Sequence, residues 1–155
     1  MDLLIIRHAQ AEDYAINDAS RILTAKGQAQ SRRVGEFLKS NGLVPDVTLA
    51  SPYARAKETA EIFCQASGAD EPVIEPWLGC GMRPEKAMSE LAAYSGFGRV
   101  AICGHNPDFA YLAEWLLGSQ AGGFHVRKAS IIHFSNIHPP GRGGYLEMMA
   151  PVSSL

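Results

Sequence analysis

Short apolar segments alternate with longer amphipathic stretches along this chain. Continuously apolar runs of four or fewer residues are typical of strands that are buried on both faces of a parallel sheet. Such runs cover residues 3–6, 73–74 and 100–103, and residues 47–50 form a similar short run with Thr48 as its one polar residue. Two later segments, 131–134 and 145–149, are predicted to pair across a loop that contains Pro-Pro-Gly. Between the strands, apolar residues recur at the spacing of amphipathic helices.

Capping residues predict where three of the helices begin. Thr24 has a side chain suited to the N-cap of the first helix. Ser51-Pro52 and Asn106-Pro107 each place a capping side chain before a proline, which is favoured at the first helical position. Helices are therefore expected directly after the second and fourth strands.

The alternation of strands and helices predicts an α/β fold. We expect a single three-layer α/β/α domain over residues 1–155, with a mostly parallel central sheet and helices on both faces. Ligands of such folds bind beyond the carboxyl ends of the strands. The first strand leads into Arg7 and His8, the second into the segment with Arg55, and the fourth into His105. Two histidines and two arginines should therefore meet at one rim.

The composition of the chain argues against several classes of binding partner. The formal net charge is −2 and the pI about 6.2, which argues against a nucleic-acid-binding protein. The three cysteines form no CxxC pair, so free thiols are expected rather than a zinc knuckle or a disulfide framework. No segment approaches the roughly 18 apolar residues that span a bilayer. We expect a cytoplasmic protein with neither a nucleic-acid nor a membrane partner.

The four residues at the rim suit phosphoryl transfer. A neutral imidazole is a competent nucleophile, and its ordinary pKa of roughly 6.5 leaves it largely neutral at cytosolic pH. Arginine binds two phosphate oxygens with its planar fork. A second histidine, if protonated, donates a further charged hydrogen bond as the transition state forms. This chemistry requires no metal, and no cofactor is expected.

Three sequence blocks resemble the histidine phosphatase superfamily, which has the phosphoglycerate-mutase-like fold. Residues 3–9, LLIIRHA, are similar to its Arg-His-Gly signature, with alanine in the third place. Residues 51–60, SPYARAKETA, are similar to the block that carries a phosphate-binding arginine, and residues 104–107, GHNP, to the block with the second catalytic histidine. Their order and strand context agree over most of the chain.

The resemblance implies a role for each matched residue. His8 would be the nucleophile and form a covalent phosphohistidine intermediate, while Arg7, Arg55 and His105 would hold the phosphoryl group as catalytic residues. We also expect Asn106, in the third block, to contact the substrate.

Within the superfamily, the chain resembles the small SixA-type phosphohistidine phosphatases. Residues 18–27, DASRILTAKG, are like that group's early loop, which implies that Arg21 approaches the phosphate and binds substrate. The short length also fits a group without large cap insertions. The resemblance implies a phosphohistidine-bearing protein as partner and a role in signal transduction.

The loop over residues 78–83, LGCGMR, contains no carboxylate. Relatives that act on phosphate monoesters carry a glutamate there, and loss of a general acid costs on the order of 10²–10⁴ in rate for a poor leaving group. An imidazole leaves more readily, so a P–N substrate is favoured. Two alternatives stay open: a small-molecule phosphomonoesterase, with Glu12, Asp13 or Asp18 as a hidden acid, and a non-catalytic phosphate-recognition module.

Other candidate groups have weaker support. Cys103 does not begin the C-x₅-R loop of the cysteine phosphatases, because position 109 is phenylalanine. Cys80 has Arg83 as its one cationic neighbour in sequence and is interpreted as a packed or idle thiol. Lys128 is interpreted either as a residue near the crevice or as a surface lysine.

Overall fold

A mixed sheet runs through the centre of the molecule. The computed structural model describes residues 1–120 and 122–155. Within these residues the strands are β1 (Asp2–Arg7), β2 (Val47–Ala50), β3 (Val73–Ile74), β4 (Arg99–Gly104), β5 (Ile131–Ser135) and β6 (Tyr145–Ala150). Their order is β3-β2-β4-β1-β5-β6; the first four strands are parallel, and β5 and β6 are antiparallel to their neighbours. The mostly parallel sheet is confirmed.

Helices cover both faces of the sheet. The α-helices are α1 (Ala25–Ser40), α2 (Ala54–Ser67), α3 (Pro84–Leu91) and α4 (Asp108–Leu117). Single 3₁₀ turns lie at Asp18–Ser20, Pro76–Leu78, Ala92–Tyr94 and Val152–Ser154. Thr24 caps α1 as predicted, because its Oγ1 accepts a hydrogen bond from the Gly27 amide at 3.0 Å. None of these helices is both long and apolar enough to cross a membrane.

The buried strand β1 divides the apolar core into two layers. Its side chains alternate between the faces of the sheet because successive residues of a strand point in opposite directions. Leu3 and Ile5 pack in one layer with side chains of α3 and α4. Leu4 and Ile6 pack in the other with side chains of α1 and α2. The α/β/α layering predicted for the chain is therefore present.

Two glycines allow α1 to approach its neighbours closely. A Cβ at Gly35 would lie 2.5 Å from the carbonyl oxygen of Phe63 in α2, and one at Gly27 would lie 2.0 Å from the carbonyl oxygen of Gln10. Real Cβ atoms do not approach backbone oxygens so closely. The start of α1 is therefore packed directly against the segment that follows β1.

Two predicted helix starts are wrong in detail. The helix after β2 begins at Ala54 with Tyr53 at its N-cap, so Ser51 is not the capping residue, and the Ser51 hydroxyl contacts the His105 ring instead. The helix after β4 begins at Asp108, so Pro107 is not its first residue. The Asn106 side chain nevertheless accepts a hydrogen bond from the Ala110 amide at 3.3 Å within the first turn.

Candidate active site

The carboxyl ends of three parallel strands bring the predicted residues together. Backbone hydrogen bonds continue past the strands: the His8 amide donates to Gly104 at 2.9 Å, and the Ser51 amide donates to Cys103 at 3.0 Å. These bonds hold the residues after β1, β2 and β4 side by side. The centroids of the His8 and His105 rings lie 5.4 Å apart.

Hydrogen bonding defines the tautomer of His8. Its Nδ1 lies 2.7 Å from the carbonyl oxygen of Ala9, and since a carbonyl only accepts, Nδ1 carries the hydrogen. The lone pair is then on Nε2, which accepts a hydrogen bond from Nε of Arg55 at 3.3 Å. The pKa of His8 is lowered to about 3, first by burial and then by electrostatic repulsion from His105 and Arg55. At neutral pH the ring is uncharged, with a lone pair beside a guanidinium.

Two arginines make the site strongly cationic. Nη1 of Arg7 donates to the carbonyl oxygen of Val126 at 2.7 Å, which anchors one arm of its fork. Burial, with the charge of Arg55 as a second cause, lowers the pKa of Arg7. Arg55 itself is only 4% exposed. Two partly desolvated like charges favour an anion between them.

The carboxylate of Asp18 forms ion pairs with Arg21 and Arg55 at the site. Its Oδ2 is 3.1 Å from Nη2 of Arg55 and its Oδ1 is 2.9 Å from Nε of Arg21, while its carbonyl oxygen accepts from Nη1 of Arg55 at 2.8 Å. Hydrogen bonds from Arg21 first and Arg55 second hold the pKa of Asp18 below its ordinary value. Asp18 is therefore ionised, and it has no proton to offer a leaving group.

The second histidine is bonded to Ser51. Nε2 of His105 lies 2.8 Å from Oγ of Ser51, and that oxygen also accepts from the Tyr53 amide at 3.2 Å. Burial first and Arg55 second lower the pKa of His105 to about 4. His105 is therefore neutral in the free protein at pH 7. A bound phosphate dianion would favour its protonated form.

The loop before α3 is fastened to the start of α4. Oδ2 of Asp108 accepts hydrogen bonds from the amides of Gly81 and Met82 at 2.9 and 3.1 Å. This places Sγ of Cys80 3.8 Å from Nη2 of Arg55. Arg55 is therefore a cationic neighbour of Cys80 in addition to Arg83, and the interpretation of Cys80 as a packed thiol is wrong because this residue is exposed. Burial raises the pKa of the Cys80 thiol, so it stays protonated.

The two residues predicted to contact substrate differ in how the structure places them relative to the site. Arg21 reaches the site, because it shares the Asp18 carboxylate with Arg55. The side-chain oxygen of Asn106 instead accepts a hydrogen bond from the Ala110 amide in the first turn of α4. Substrate contacts by either residue stay a prediction. In the described ranges, 1–120 and 122–155, no three His, Cys, Asp or Glu side chains group in a way that could hold a metal ion.

Comparison with known proteins identifies the family. A family model of the histidine phosphatase superfamily (branch 1) matches residues 3–79. An uncharacterized protein of Picosynechococcus is 30% identical over 141 residues, which are 85% of this chain and 83% of that protein. The chain belongs to the histidine phosphatase superfamily. The resemblance inferred from the three sequence blocks is confirmed.

SixA is found both among the sequence relatives of this histidine phosphatase superfamily member and among the solved structures that resemble it. Phosphohistidine phosphatase SixA of Escherichia coli is 29% identical over 119 residues, which are 75% of this chain and 74% of that protein. A structure of SixA complexed with tungstate superposes with a TM-score of 0.89 over 99% of both chains at 23% identity. The latter likeness establishes the shared fold.

Proposed function

We propose that this protein is a metal-independent phosphatase that removes the phosphoryl group from a phosphohistidine of a partner protein. The geometry of His8 carries the proposal: its Nδ1 is bonded to Ala9, which leaves the Nε2 lone pair beside Nε of Arg55 at 3.3 Å. A neutral, oriented nucleophile next to a phosphate-binding cation is the arrangement that in-line phosphoryl transfer requires.

In the first step, the Nε2 lone pair of His8 attacks phosphorus. The bond from phosphorus to the substrate's imidazole nitrogen breaks, and its electron pair leaves with that imidazole, which takes a proton from solvent. Arg7 and Arg55 neutralise the equatorial oxygens, and Arg55 exchanges its hydrogen bond to Nε2 for one to a phosphoryl oxygen. Arg21 and His105 supply further donors at the rim.

In the second step, water attacks the phosphorus of phospho-His8. The P–Nε2 bond breaks, its electron pair returns to Nε2, and the proton lost by water goes to solvent or to His105. Phosphate is released and His8 regains the tautomer that Ala9 stabilises. In both steps the arginine charges stabilise the negative charge on the phosphoryl oxygens, so the mechanism needs no metal.

The carboxylates at the site favour a P–N substrate. Asp18 is ionised by its two arginine partners, and the loop over residues 78–83 has no acidic side chain. A sugar alkoxide needs a proton donor to leave, whereas an imidazole leaves as a weak base. The likeness to Escherichia coli SixA, which is named a phosphohistidine phosphatase, supports the same substrate class.

A small-molecule phosphomonoesterase is the second candidate, and Asp108 is the observation that favours it. Burial raises the pKa of this carboxyl group, although the amides of Gly81 and Met82 oppose the shift. Asp108 also holds the loop that brings Cys80 to Arg55. A protonated Asp108 would be the proton donor that a P–O substrate needs.

Phosphate release distinguishes these functions and the non-catalytic alternative. A histidine-phosphorylated peptide and a panel of sugar phosphates are incubated with the protein in EDTA, beside His8→Asn and His138→Asn variants. We expect release from the peptide alone, lost in His8→Asn and kept in His138→Asn, whose histidine is exposed. Release only from sugar phosphates would support the second candidate, and binding without release would support a recognition module.

A further inference from the structure

A groove lined by cationic side chains adjoins the candidate active site at Arg7. A cavity of about 380 Å³ is lined by Arg7, Lys26, Arg127 and Lys128, and none of its lining residues is acidic. A second cavity of about 590 Å³ shares Lys26 with it and extends along α1 to Arg32. We call these five residues and the groove that they line the cationic trough.

The cations of the trough are available to a partner. The side chains of Lys26, Arg32, Arg127 and Lys128 are all exposed, and none forms an ion pair or hydrogen bond with another residue in the part of the chain that the structure describes. Glu36 is the acidic side chain that lines the second cavity. Four unpaired cations at one place contrast with the net charge of −2 for the whole chain.

Backbone hydrogen bonds fix the trough to the nucleophile. The amide of Ala129, which follows Lys128, lies 3.2 Å from the carbonyl oxygens of both Arg7 and His8. The Arg7 amide donates in turn to Ser130 at 3.2 Å. On the other wall, the close packing of Gly27 against Gln10 places Lys26 beside the segment after His8. The backbone that carries Lys26 and Lys128 is therefore fixed relative to the backbone of His8.

We propose that the cationic trough docks an acidic segment of the phosphohistidine-bearing protein. This inference rests on the proposed function and names the surface chemistry of its substrate. Charge complementarity argues for an acidic partner, because opposite charges orient the encounter and raise the association rate. The open, elongated shape suits a peptide segment better than a second phosphate of a small metabolite, which would need an enclosed pocket.

Two synthetic peptides test the proposal. Each carries a single phosphohistidine, flanked by Glu and Asp in one peptide and by Ser and Gln in the other. We expect wild-type kcat/KM to favour the acidic peptide by about tenfold or more at low ionic strength, and the preference to shrink in about 0.5 M salt. Lys26→Glu/Lys128→Glu should abolish the preference and leave turnover of the neutral peptide unchanged. The control Lys39→Glu/Lys86→Glu makes the same change of net charge outside the trough, with loss of the exposed Lys86–Glu90 ion pair, and should keep the preference.

Binding is measured separately from turnover. The unphosphorylated acidic peptide, labelled with fluorescein, is titrated with each variant and followed by fluorescence anisotropy; we expect binding that the trough variant loses and the control keeps. No preference between the peptides, or an equal loss on both peptides in the trough variant, overturns the docking proposal. Tighter binding of a single-stranded oligonucleotide of equal charge also overturns it. If neither peptide releases phosphate, the proposed function fails, whereas anisotropy still decides the trough.

Discussion

Replacing Asp18 with asparagine should strengthen the binding of phosphate. The Asp18 carboxylate contacts Arg21 at 2.9 Å and Arg55 at 3.1 Å, and the same guanidinium groups are proposed to bind the phosphoryl oxygens. A phosphate that enters the site must therefore displace this carboxylate from Arg55. Asparagine keeps the shape of the side chain but removes its charge, so the competition becomes weaker.

Exposure limits the size of this effect. The Asp18 side chain is 62% exposed, so each ion pair contributes in the range measured for surface pairs, and the two together are worth about 1 kcal/mol. This corresponds to about a fivefold lower dissociation constant for phosphate. This fivefold decrease in the dissociation constant is an upper limit for Asp18→Asn, because the carbonyl oxygen of the asparagine side chain still accepts a hydrogen bond from the arginines.

Isothermal titration with inorganic phosphate measures the change without any need for turnover. Asp13→Asn is the matched control, since it removes an exposed carboxylate of the same loop. We expect Asp13→Asn to bind like the wild type and Asp18→Asn to bind more tightly. Equal or weaker binding by Asp18→Asn would mean that Asp18 orients the arginines for phosphate instead of competing with it.

Three further predictions follow from contacts of the site. Ser51→Ala removes the buried partner of His105 Nε2 and should lower kcat on the phosphohistidine peptide by about tenfold, with KM little changed and activity restored in Ser51→Thr. The stabilising contribution of the two neutral histidines should be complete above about pH 6.5 and be lost as the pH falls toward about 4 for His105 and about 3 for His8, by up to about 1.4 kcal/mol per pH unit for each, because the pKa of each is lowered in the folded state; the free energy of unfolding, measured in urea at each pH, should depend less steeply on pH in His8→Asn. Gly27→Ala should lower the free energy of unfolding by about 1–3 kcal/mol, measured by urea denaturation, since its Cβ would meet the Gln10 carbonyl oxygen; an unchanged midpoint would show that α1 can shift.

The site residues at the strand ends could be predicted because the apolar pattern that marks each strand also shows where the strand ends. Buried parallel strands are apolar runs, and the residues that directly follow them lie at one rim. Arg7 is the last residue of β1, and His8 and His105 directly follow β1 and β4, so their proximity could be predicted without knowing how the loops fold. Arg55 lies in the first turn of α2, so its placement depended only on the predicted strand-helix order.

Contacts between residues distant in sequence could not be predicted. Ser51 has the local features of an N-cap, yet its hydroxyl bonds a ring 54 positions later, and that choice depends on the sheet order. The segment around Asp18 has no helical or strand period, so its contact with Arg55 was not visible. Cys80 similarly meets Arg55 because Asp108 holds its loop. Each depends on tertiary structure that no short pattern encodes.

The covalent intermediate is the most direct test of the proposed mechanism. The protein is mixed with the acidic phosphohistidine peptide, quenched in base within milliseconds to seconds to preserve acid-labile P–N bonds, and analysed by peptide mass spectrometry. We expect one added phosphoryl group on His8 that appears and then decays as phosphate is released, and no added group in His8→Asn. Phosphate release without any labelled protein, or a label on His105 with His8 unmodified, would contradict the assignment of His8 as the nucleophile.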